Sequence, residues 1–210
     1  MYCPPSFRQH DTAELHRQIR ASGLASLVSH GADGLQASHL PLLLAAEEGE
    51  FGTLYGHFAR ANPHWRALEN GGEALAIFAG PHAYVSPSWY PGKAEHGRAV
   101  PTWNYIAVHA SGPVEAFDDT PRLRRLLGRL SDQHEAGRAR PWSLDETPPD
   151  YLAAQLRAIV GFALPIRTLQ GQWKLSQNRT AADRAGVHNA LATSPEPRER
   201  ELAARMPATD

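Results

Sequence analysis

From residue 24 to residue 117 the chain reads as a succession of short strand candidates joined by brief turns, at 24–29, 35–44, 51–58, 74–78, 83–89 and 102–117. This run constrains the fold more than any other feature. Turns are marked by His30-Gly31-Ala32-Asp33-Gly34 and by Glu47-Glu48-Gly49. Pro41 falls inside the second candidate and predicts an edge or a bulge there, because proline has no N–H to give to a ladder. Strand–helix–strand crossovers are too few for a doubly wound parallel sheet. The expected class is mainly β, or α+β: an antiparallel barrel with peripheral helices.

The helices are fewer and well marked. Asp11 caps the first, with Leu15 and Ile19 on one face and Ser22-Gly23 as its stop. Asn62-Pro63 opens a short one and Thr120-Pro121 a long one. In the long helix Leu123, Leu126, Leu127 and Leu130 make an apolar stripe, with Arg122, Arg124, Arg125 and Arg129 outside it. A further helix is expected over 150–159. Phe162, Leu164 and Ile166 then alternate as a strand, and 169–172 reads as a turn into 173–177. Thr180 with Asp183 caps a last helix, and 199–206 could form another. The polar, glycine-containing segment 91–98 reads as a mobile loop. One domain over 1–192 is expected, followed by a charged tail over 193–210.

Composition narrows the function. Lys+Arg number 21 against 22 Asp+Glu, a net charge of −1, which excludes a broadly basic nucleic-acid binder. The single cysteine, Cys3, excludes a disulfide framework and a multi-cysteine zinc site. No apolar run approaches the roughly 20 residues that cross a bilayer. Met1-Tyr2-Cys3-Pro4-Pro5 is unlike a signal peptide, so a cytoplasmic protein with no membrane partner is expected. Against this plain background stand 11 His and 5 Trp; four of the five Trp, with His39, His57, His64 and His82, gather in a few polar-aromatic clusters.

No Gly-x-Ser-x-Gly elbow, nucleotide glycine motif or His-Glu-x-x-His zinc motif occurs, and the histidine spacings assign no metal. Arg60-Ala61-Asn62-Pro63 is a physically sensible anion site, a guanidinium two residues before a capped helix start. Trp103-Asn104-Tyr105 and Trp173-Lys174-Leu175-Ser176-Gln177-Asn178 place rings beside amides, a combination that can cover the face and pair the edge of a heteroaromatic ligand. The same tryptophans also suit core packing.

At these clusters the sequence resembles the FMN-binding negative transcriptional regulators, the PaiB family. The matching stretches are Met1-Tyr2 with Pro4 and Phe7, then 37–41, 56–65, 80–90, 101–109, 141–144, 159–162 and 173–186. The resemblance implies a split β-barrel related to pyridoxamine-phosphate-oxidase-like flavoproteins, and a homodimer with FMN at the subunit interface. It also implies that Arg60, with Asn62 beside it, holds the FMN phosphate, flanked by Ser38 and His39, with His57 near the ring or chain. Trp103 and Asn104 would line the pocket. Trp173, Lys174, Ser176, Gln177 and Asn178 would close it from the partner subunit. The family name carries a regulatory role, with DNA or a protein as partner; net charge and the lack of a helix-turn-helix pair fit direct DNA reading poorly. A flavin oxidoreductase drawing on a nicotinamide donor is the alternative, and a haem-binding split barrel a third reading.

Overall fold

The computed structural model describes residues 1–32 and 34–207, the side chains of Glu95 and His96 excepted. Asp33 of the predicted turn and residues 208–210 of the predicted tail lie outside the described residues. The chain divides into two compact units, each drawn from separate stretches of sequence.

The first unit takes Met1–Leu15, Ala79–Val108 and Gln170–Asp210. Strand β1 (Arg8–Gln9) pairs antiparallel with β10 (Thr168–Lys174), Arg8 opposite Gln172. Strands β7 (Thr102–Pro113) and β6 (Glu73–Val85) follow β10 in order. Helix α5 (Ala181–Ala192) packs on the 3-10 turn Pro87–Trp89, and Gly186 is where the two meet. A Cβ at that glycine would stand 2.1 Å from the Trp89 carbonyl oxygen, so no larger residue fits without backbone movement. Helix α6 (Pro197–Ala204) packs on α5 and buries Leu202 and Ala203.

The second unit takes His16–Phe78 and His109–Leu169. Here β2 (Ala25–Gly31) pairs with β3 (Gly34–Leu40) on one side and with the start of β6 on the other, both antiparallel. A four-stranded sheet runs β4 (Leu43–Ala45), β5 (Thr53–Ala59), β9 (Ile159–Pro165), β8 (Glu115–Phe117). Helices α3 (Thr120–Glu135) and α4 (Pro149–Arg157) supply Leu123, Leu126, Leu130, Leu152 and Leu156, which cluster with Leu43, Phe117 and Ala163 of that sheet. Gly161 in β9 makes the packing possible: a Cβ there would lie 2.4 Å from the Phe117 ring.

Prolines explain where the structure departs from the predicted strands. The candidate at 35–44 is two strands in different sheets, since Pro41 ends the first ladder and β4 begins beyond it. The candidate at 102–117 likewise breaks after Pro113, and β8 belongs to the other sheet. In the opposite sense, Gly80-Pro81 does not interrupt β6, which runs unbroken over both predicted strands. Residues 87–89 form a 3-10 turn capped by the Ser86 hydroxyl, and 91–98 contains a short helix, α2 (Gly92–His96), closed by Gly97 at φ 67°. The expected turn at 169–172 is part of β10. Strands nevertheless outnumber α-helices among the described residues, and the antiparallel pairing with helices at the periphery is the expected class.

Candidate functional site

The residues singled out from sequence fall into both units, five in the second (Ser38, His39, His57, Arg60, Asn62) and seven in the first (Trp103, Asn104, Trp173, Lys174, Ser176, Gln177, Asn178).

In the second unit, Asn62 starts the 3-10 turn Pro63–Ala67 by accepting from the His64 amide at 3.0 Å, and its Nδ2 donates to Ser38 Oγ at 3.1 Å. His64 itself is 2 % exposed. Its Nδ1 lies 2.8 Å from Ser38 Oγ and its Nε2 lies 2.9 Å from Ser29 Oγ, with the ring against Phe58. Ser38 and Asn62 therefore stand around a buried histidine that sequence reasoning passed over, although its place just inside a capped proline turn marks it. His39, the next residue along β3, points to the opposite, exposed face and meets Ser26 Oγ at 3.1 Å. His57 alternates with the buried Phe58 on β5; its Nδ1 is buried without a hydrogen-bond partner among the described residues, and burial holds its pKa below the usual range.

Arg60 is engaged with backbone. Its Nε donates to the Arg157 carbonyl at 2.8 Å, and its Nη2 donates to the Ile159 carbonyl at 3.0 Å and reaches Asp118 at 3.5 Å. Its own amide donates to Ala158 O at 2.7 Å. The residue fastens the end of β5 to the link between α4 and β9.

In the first unit, alternation along β7 sends Trp103 outward and Asn104 inward. Trp103 is 52 % exposed, with the His82 ring at 6.0 Å and the Tyr84 ring edge-on at 6.1 Å, both from the outer face of β6. Lys174 anchors this face from β10: its ammonium donates to Thr102 Oγ1 at 2.7 Å and to the Trp103 carbonyl. Burial, with Arg179 nearby, pushes the Lys174 pKa below the usual lysine range. Behind the face Asn104, 1 % exposed, is hydrogen-bonded to Ser176. Gln177 folds back on its own strand end, accepting from the Leu175 amide and donating to the Trp173 carbonyl. Trp173 and Gln177 line a separate cleft with Phe7, Gln9 and Arg205.

Asn178 opens a third environment. With Tyr90, Arg98, Arg179, Thr180 and Asp183 it lines a cleft of about 390 Å³. Arg179 lies in the 173–186 stretch and Arg98 in the 91–98 segment; nothing local in the sequence marks either as a site residue, and only the fold brings them to one cleft.

The arginine face of α3 is largely neutralised. Arg122 holds Glu115 with both Nη atoms, at 2.5 and 3.1 Å, and lies 3.9 Å over the Phe117 ring. Arg124 pairs with Asp145 at 2.5 Å and Arg129 with Glu47 at 3.8 Å. Among the described residues, no cluster of three or more His, Cys, Asp or Glu side chains is placed to hold a metal ion.

A family model described as "Putative FMN-binding domain" matches residues 1–168. The chain belongs to this family. Within the FMN-binding-domain family it is 32% identical over 206 residues to "Protease synthase and sporulation protein PAI 2" of Bacillus subtilis (strain 168), covering 98% of this chain and 96% of that protein. Among solved structures, the FAD and heme binding protein from Mycobacterium smegmatis superposes with a TM-score of 0.58 at 16% identity, covering 93% of this chain and 96% of that one. The flavocytochrome Anf3 from Azotobacter vinelandii gives 0.56 at 16% identity, covering 83% and 70%. The resemblance drawn from the sequence clusters holds, and the fold is a split β-barrel with peripheral helices.

Proposed function

We propose that this protein binds FMN as a member of the PAI 2 type and that any effect it has on gene expression is exerted through the bound flavin or a protein partner, not through direct reading of DNA. The observation that carries the flavin reading is the half-exposed Trp103, held in place by Lys174 on its carbonyl and met by the Tyr84 and His82 rings on the same outward face. A planar ring system finds there the area and polarisability that an aromatic ligand needs. The donor chemistry of this unit also fits a phosphorylated flavin, since Lys174, Arg179 and Asn178 supply hydrogen-bond donors and positive charge. The flavin would supply reversible electron transfer, while the chain binds it, orients it and limits water access. An exposed aromatic face of this kind also supports a homodimer that covers it.

Pairing of three of the four α3 arginines with acids supports the indirect route, because paired guanidinium groups release fewer counterions on DNA. The same family match is compatible with a flavin oxidoreductase, and a direct measurement separates the two. The purified protein is expected to show flavin absorption bands, or to acquire them with added FMN. A colourless protein that ignores FMN overturns the proposal. Rapid bleaching by NAD(P)H would identify an enzyme. Retention of duplex DNA at physiological salt, lost on Arg122→Ala with Arg124→Ala and Arg125→Ala, would identify a direct regulator.

A further inference from the structure

The cleft lined by Tyr90, Arg98, Asn178, Arg179, Thr180 and Asp183 has features that neither the packing of the first unit nor the aromatic face requires. Tyr90 is 4 % exposed, and its hydroxyl proton has no acceptor among the described residues; the Arg179 guanidinium beside it can only donate. A buried phenol of this kind lacks the acceptor that such groups ordinarily have. The Arg179 guanidinium lies 4.9 Å over the Tyr90 ring, and no ion pair holds it among the described residues. Thr180 caps the twelve-residue helix α5 by accepting from the Asp183 amide at 3.2 Å, leaving the amides of the first two helical residues without intrahelical partners at the positive end of the dipole. The Asp183 carboxylate is turned to the Gly92 amide, from which it accepts at 3.1 Å. The walls carry the Arg98 and Arg179 guanidinium groups beside the Asp183 carboxylate.

We propose that this cleft is an oxyanion subsite that takes a phosphate group borne by a small molecule, with Arg179 and Arg98 as charged donors, Asn178 as a neutral one, and the Tyr90 hydroxyl as the buried donor that the ligand satisfies. A guanidinium fork and a helix start are the two donor arrangements that suit a tetrahedral oxyanion, and a cavity of about 390 Å³ is the size of small-molecule sites. Two sources share this chemistry: the phosphate of the flavin itself, or a second, phosphorylated molecule. The proposal does not depend on flavin binding.

Inorganic phosphate is titrated into the full-length protein and followed by phosphorus-31 line broadening, beside titrations of FMN and of riboflavin. Phosphate is expected to bind, and Arg179→Gln and Tyr90→Phe are each expected to weaken it at least tenfold while thermal melting confirms a folded chain. If FMN binds at least tenfold tighter than riboflavin and Arg179→Gln removes that difference, the flavin's own phosphate is the occupant. If phosphate still titrates into FMN-saturated protein and Arg179→Gln leaves FMN affinity unchanged, the occupant is a second molecule. Binding of phosphate with neither flavin bound would refute the proposed function and keep this subsite. Absence of phosphate binding, or binding indifferent to both substitutions in folded protein, overturns the subsite.

Discussion

Ser176 and Asn104 satisfy one another in the interior of the first unit. Asn104 Nδ2 lies 3.0 Å from Ser176 Oγ, and that hydroxyl lies 3.1 Å from Asn104 Oδ1. Ser176 reaches this position at φ 65°, the one non-glycine residue with a left-handed backbone among the described residues. A left-handed serine is strained by about 1 kcal/mol or more, and such strain gathers at functional sites. Ser176→Ala should destabilise the protein by about 1–3 kcal/mol, because a buried amide loses its partner while the strain stays. Ser176→Gly loses the same hydroxyl but accepts the backbone angle freely, so it should be milder by about 1 kcal/mol. Urea midpoints of the two variants decide the matter; equal losses would mean that no strain is stored.

Arg60 should act as a brace. Its two bonds to the Arg157 and Ile159 carbonyls join the end of β5 to the start of β9. Arg60→Ala is expected to lower stability by about 1–2 kcal/mol, with the half-exposed position keeping the loss modest. Asp118→Ala should be nearly silent, since its exposed ion pair with Arg60 is of a kind worth about 0–1 kcal/mol. If Arg60→Ala leaves melting unchanged and weakens FMN binding alone, the residue serves the phosphate and not the fold.

Acid should destabilise this protein through the buried His64 imidazole and the half-buried ones of His57 and His109. Burial holds the pKa values of His57, His64 and His109 below the ordinary 6.5. In the unfolded chain these groups take up protons as the pH falls through about 6.5, while in the folded state they stay neutral to lower pH. The stability they contribute is therefore complete above that value and is lost progressively below it. Denaturant midpoints are expected to drop between pH 7.5 and 5.5, and His64→Asn should flatten the drop. An unchanged slope in that variant would remove His64 from the account.

Trp103→Ala should separate ligand binding from folding. The indole is half exposed, so its removal should change stability by less than about 1 kcal/mol. FMN affinity, read by quenching of flavin fluorescence, should fall at least about tenfold, which corresponds to about 1.4 kcal/mol. Retained affinity would show that the aromatic face serves another surface.

Much of the fold is legible in the sequence because its signals are local. Asp11, Asn62 and Thr180 cap the helices and turns they precede, Thr120-Pro121 opens α3 directly after its Asp119 cap, and the leucine stripe of α3 faces the sheet as its spacing requires. What escaped is what a distant partner decides. Nothing near Gly80-Pro81 tells that the strand continues, and nothing near Pro41 or Pro113 tells that the next residues pair in another sheet. The candidate site behaves in the same way. Trp103 with Lys174 and Asn104 with Ser176 are neighbours within this chain, whereas the resemblance put Lys174 and Ser176 on the partner subunit's side of the pocket. The cluster residues Ser38 and Asn62, by contrast, surround His64, because a histidine buried between two serines leaves no periodic trace.

The pairing of β1 with β10 sets a constraint on how the protein is made. Arg8 lies opposite Gln172, and the amino terminus donates to the Gln170 side chain 169 positions further on. Strand β1 thus waits for a partner that lies most of the described chain further on, and it stays unpaired until β10 has been made. The matched family region ends at residue 168, just short of that partner strand's paired residues. A gene fragment cut at the family boundary would therefore encode a β1 with nothing to pair with, along with the outward Trp103 stripped of the lysine that anchors it.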